Sequence, residues 1–72
     1  MSETVDARGL SCPQPVMETL DAIKRLGSGQ LEVLVDTETS KENVSRAAQS
    51  QGWEVNQVAE EGESFRLSLS KA

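Results

Sequence analysis

Apolar and polar positions along the chain change period several times, and each change marks an element. Near the start, Val5 and Ala7 share one face of a short strand over Thr4 to Ala7. The chain then turns through Arg8-Gly9-Leu10, since Gly9 adopts φ > 0 without strain. From Pro13 the period becomes helical. Val16, Leu20 and Ile23 recur at i, i+4 and i+7, while Glu18, Asp21, Lys24 and Arg25 fall largely to the other side. This helix should stop near Leu26, with Gly27 at C′ and Ser28-Gly29 continuing the break. Leu31, Val33 and Val35 then alternate with Glu32 and Leu34, the pattern of a strand packed mainly on one face, with partial cover over Leu34. Thr39 and Glu42 stand at capping-box spacing, and Gly52 supplies a stop, which predicts a second helix from about Ser40 to Gln51. Its stripe of Val44, Ala47 and Ala48 is small, so it sits close to the sheet and buries little area. Trp53 to Val58 and Phe65 to Leu69 read as strands joined through Glu60-Glu61-Gly62-Glu63 into a hairpin, with Trp53 and Phe65 facing inward.

The predicted order is β-α-β-α-β-β. Crossovers are right-handed, which puts both helices on the same face of a mixed four-stranded sheet, an α/β fold of the α+β two-layer sandwich type. The other face, with Glu32, Glu54, Arg66 and Ser68, should be half exposed. With 72 residues and neither repeats nor low-complexity tracts, the chain reads as a single domain, 1–72. Twelve Asp and Glu against seven Lys and Arg give a net charge of −5, which repels a phosphate backbone and excludes nucleic acid as a direct ligand. The longest uninterrupted apolar run, Val33-Leu34-Val35, is too short for a membrane span, and no signal-peptide pattern follows Met1. The expectation is a cytoplasmic protein without membrane association, in a compartment that keeps a thiol reduced.

That thiol is Cys12. One cysteine and no histidine exclude an internal disulfide, zinc-finger ligation and Cys-His dyads, so neither metal nor cofactor is expected. Cys12 precedes Pro13, a residue favoured at the first helical position, which makes Cys12 the N-cap. Pro13 and Pro15 carry no N–H, so the Gln14 N–H remains as the free donor of that turn. A sulfur placed there receives it, and the helix dipole favours the thiolate; Arg8, four residues earlier, adds a positive charge. A lone cysteine is more often an inert core residue. Here, however, the apolar face begins at Val16, and a helix-entry loop is where thiols become reactive. Without histidine a hydrolase dyad is unavailable, whereas thiolate attack on sulfur needs only ionisation and access. Sulfur transfer or thiol redox chemistry remains. Asp6 and Asp36 end strands and can lie near Cys12, but read more simply as turn residues. Glu60, Glu61 and Glu63 read as a solvated hairpin run, with docking of a basic partner as the lesser reading.

The run Asp6-Ala7-Arg8-Gly9-Leu10-Ser11-Cys12-Pro13-Gln14-Pro15-Val16-Met17 resembles D-x-R-G-L-x-C-P-x-P-V, the signature of the TusA/SirA/YedF family of small sulfur-carrier proteins. The resemblance implies a fold like the C-terminal domain of translation initiation factor three, and a persulfide carried on Cys12. Arg8, Gly9 and Gln14 would support the motif, and Pro13 and Pro15 would shape its loop. It also implies a cysteine desulfurase or rhodanese as donor and a DsrE-like or other thiol protein as acceptor. Many members have Glu where this chain has Gln14, a change that removes a carboxylate opposed to thiolate formation. Asn43-Val44 to Gly52 resembles the YedF-like branch, whose members often add a DsrE-like domain, so the relay would be incomplete or depend on another chain. The alternative implied by the same family is a non-catalytic binding, regulatory or thiol-redox module of the YedF/SirA-like type, with a link to selenium metabolism.

Overall fold

A computed structural model describes residues 2–10 and 14–71. Six elements follow one another: β1 (Ser2–Asp6), α1 (Gln14–Leu26), β2 (Gly29–Val35), α2 (Glu38–Ser50), β3 (Glu54–Glu61) and β4 (Ser64–Lys71). The sheet order is β1-β2-β4-β3. β1 runs parallel to β2, whereas β4 is antiparallel to both β2 and β3. The expected mixed four-stranded sheet with two helices is therefore present.

Leu31, Val33 and Val35 of β2 and Leu67 and Leu69 of β4 are almost fully buried, and they pack with Ala22 and Ile23 of α1 and Val44 and Ala48 of α2. Trp53, just before β3, closes this core at 2% exposure. On the open face, the Arg66 guanidinium meets Glu32 at 3.3 Å and Glu61 at 3.2 Å. Leu34 is half-buried there, as its place in the alternation predicts.

Three local readings need correction. The deepest stripe of α1 is Pro15, Thr19, Ala22 and Ile23, not Val16, Leu20 and Ile23; Val16 and Leu20 are half-buried beside it. Thr19 can occupy the core because its hydroxyl donates to the Pro15 carbonyl at 2.8 Å, which removes the cost of burying an unpaired polar group. The N-cap of α2 is Thr37, two residues before the expected capping box. Thr37 is extended (φ −134°, ψ 152°), and its hydroxyl oxygen accepts the Ser40 N–H at 3.1 Å. Finally, Phe65 is only half-buried, since it stands at the start of the inner strand β4, at the end of the sheet, under Lys41, whose ammonium sits 5.0 Å from the ring centre.

Because β1 and β2 are parallel, their C-terminal ends share one pole of the sheet. The segment after β1, the start of α2 and the β3–β4 turn converge there.

Candidate functional site

The site is built on the loop that leaves β1. Ala7, fully buried, continues the ladder by donating its N–H to the Leu34 carbonyl at 2.8 Å. The chain then turns back, the Leu10 N–H reaching the Ala7 carbonyl at 3.4 Å. Gly9 takes φ +80°, a conformation that L-residues with a Cβ rarely adopt.

Two aspartates hold this turn. Asp6 accepts three bonds from Arg8: the backbone N–H at 3.2 Å, Nε at 2.9 Å and Nη2 at 2.8 Å. The Arg8 side chain and then its backbone N–H hold the Asp6 carboxyl down to about 2, from 3.8. The same pairing raises the Arg8 pKa, with further contributions from the Asp36 and Glu61 carboxylates. Asp36 acts across the fold, its Oδ2 accepting the Gly9 N–H at 2.8 Å.

This geometry alters the electrostatics expected from the sequence. The Arg8 cation is engaged by Asp6 in a bidentate pair at the surface, so much of its field at the loop is cancelled. The carboxylate of Asp36 adds a further negative charge at the same turn. Asp6 and Asp36 are turn residues, as expected, and in addition they are the groups that shape the segment leading to the cysteine.

Among the expected site residues, Arg8 and Gly9 lie on the exposed turn, Gln14 opens α1 and is exposed, and Pro15 is buried beneath it. Cys12 and Pro13 lie outside the described residues, as does the expected bond between the Cys12 sulfur and the Gln14 N–H. One turn into α1, Met17 is 57% exposed. Among the described residues no group of three or more Cys, Asp or Glu is placed to hold a metal ion. No helix among them is long and apolar enough to cross a membrane.

Two helices on a mixed four-stranded sheet define a small α+β domain, and comparison with known proteins places it. Residues 3–71 match the family model described as "Sulfurtransferase TusA", and the chain belongs to this family. A Methanocaldococcus jannaschii protein named "Putative sulfur carrier protein" is 41% identical over 69 residues, covering 93% of this chain and 91% of its own. The YedF protein of Escherichia coli, given the same description, is 32% identical over 68 residues, covering 93% and 88%. The crystal structure of a SirA-like protein from Desulfitobacterium hafniense superposes with a TM-score of 0.88 at 28% identity, covering 100% of this chain and 99% of that one.

Proposed function

We propose that this protein carries sulfane sulfur on Cys12 as a persulfide and passes it to the thiol of a partner protein. The observation that carries the reading is a sole cysteine within the run from Asp6 to Met17 of a chain that matches the sulfurtransferase family over residues 3–71. In the loading step the Cys12 thiolate attacks the outer sulfur of a donor persulfide; the new S–S bond forms on Cys12 as the donor S–S bond breaks, and the donor cysteine leaves as its thiolate. Transfer onward repeats the exchange with the partner thiolate attacking the outer sulfur on Cys12. Neither step changes the overall redox count or needs a histidine base.

Ionisation of the thiol is favoured by the N-terminus of α1, which begins at Gln14, two residues beyond Cys12. A cysteine desulfurase or a rhodanese fits the donor role, and a DsrE-like or other thiol protein fits the acceptor role. The test is incubation with a persulfide-loaded cysteine desulfurase followed by intact mass. One sulfur atom should be gained by the wild type and none by Cys12→Ser, and absence of gain from several donors refutes the reading. Full complementation of a deletion strain by Cys12→Ser would instead favour the binding or regulatory module.

A further inference from the structure

We infer that Asp36 is the positioning residue of the cysteine loop, holding it from the end of β2 through the Gly9 N–H; the inference rests on the reading of Cys12 as the sulfur carrier. Ala7 is part of the core and extends the ladder to Leu34, the Leu10 N–H returns to Ala7 while its side chain packs against the core, and Arg8 bonds to Asp6 two residues away. None of these ties the exposed residues of the turn, Arg8 and Gly9, to an element other than β1. The bond from Gly9 to Asp36 does, joining the tip of the turn to the residue that follows β2 at 2.8 Å.

Its anchor is rigid. Asp36 follows Val35, a fully buried residue of a strand paired on one side with β1 and on the other with β4. Gly9 is adapted to the contact through its backbone: a Cβ built there would meet nothing within 4 Å, so φ +80° and not lack of space demands glycine. The backbone three residues before Cys12 is thus oriented by a carboxylate just beyond the end of β2. A thiolate presented to a protein partner must be held within a fraction of an ångström, whereas a small alkylating reagent approaches from many directions.

The role requires an acceptor oxygen and not its charge, which separates two variants. Asp36→Asn keeps an acceptor at the same place, while Asp36→Ala removes it. With a persulfide-loaded cysteine desulfurase as donor and quenched-flow intact mass as readout, Asp36→Ala should slow appearance of the Cys12 persulfide about tenfold or more, and Asp36→Asn should stay within about threefold of wild type. Alkylation of Cys12 by iodoacetamide should change by no more than about threefold in either variant. Exchange of the Gly9 amide proton, followed by NMR, should be slow in the wild type and Asp36→Asn and fast in Asp36→Ala. Loading at the wild-type rate in Asp36→Ala, an equal loss in Asp36→Asn, or a parallel loss of alkylation each overturns the inference. If the wild type itself takes no sulfur, the carrier reading fails; Gly9 exchange then still decides whether Asp36 holds the loop, and equal exchange in all three proteins overturns that too.

Discussion

Leu67 lies in the middle of β4, is completely buried, and is opposite Val33 on one side and Val58 on the other. Its neighbours are fixed by the ladders on both sides, so the space left by Leu67→Ala cannot close by simple collapse, and the cost should be about 3 kcal/mol. For 72 residues the whole stability is about 4 to 11 kcal/mol, so one side chain accounts for a large share. The expected fall in Tm is roughly 12 to 24 °C for a domain of this size, and the urea midpoint should drop by about 3 M if m is about 1 kcal/mol/M. Thermal and equilibrium urea unfolding, followed by far-UV circular dichroism and by emission of Trp53, the sole tryptophan and almost fully buried, measure the two shifts. The adjacent Ser68→Ala is the control. Ser68 is on the helix-free face opposite Glu32 and Gln57, and its loss should stay within about 0.5 kcal/mol. A one-residue slip of β4 would exchange the two faces. A cost below about 1 kcal/mol for Leu67→Ala, or a larger cost for Ser68→Ala, refutes the assigned register and the core built on it.

Thr37→Ala should cost about 1 kcal/mol in the same assay by removing the acceptor at the Ser40 N–H of α2. The Asp6 carboxyl is held below its unfolded value, so its contribution to stability is present above 3.8 and is lost as pH falls toward about 2. Acid titration of stability should therefore be shallower over that window in Asp6→Asn than in the wild type. Arg8→Ala uncovers the Asp6 charge beside the loop and should slow alkylation of Cys12 at about 10 mM salt but hardly at about 0.5 M. The double variant Asp6→Ala, Arg8→Ala removes a neutral pair and should alkylate near the wild-type rate; a rate as slow as that of Arg8→Ala alone would show that Arg8 acts directly.

Element order was legible in the sequence because each element has its own period: alternation at Leu31-Val33-Val35 and Phe65-Leu67-Leu69, helical spacing from Val16 to Ile23. The rotation of α1 was not, since hydropathy ranks Thr19 as polar and passes over Pro15, and the bond between them that makes the pair suitable for the core appears only once the helix has formed. Thr37 and Thr39 are chemically equivalent caps on paper. The extended backbone at Thr37, set by where β2 ends, chooses between them. Arg8, Gly9 and Pro15 were found from the motif, whereas the reach of Asp36 to Gly9 depends on the parallel register of β1 and β2, which no local pattern encodes.

Placement of β1 at the sheet margin has a consequence for folding. The β3–β4 hairpin is closed by neighbouring residues and has a small loop-closure entropy, whereas β1 joins β2 only after the chain has passed through the whole of α1. With five residues and one neighbour, β1 is also the strand with the fewest ladder bonds to lose in a sub-global opening. The turn at Arg8 and Gly9 hangs from this late-joining strand, so the segment that leads to Cys12 belongs to the least cooperative unit of the domain. Opening of β1 from β2 would release this turn without disturbing the hairpin half of the core.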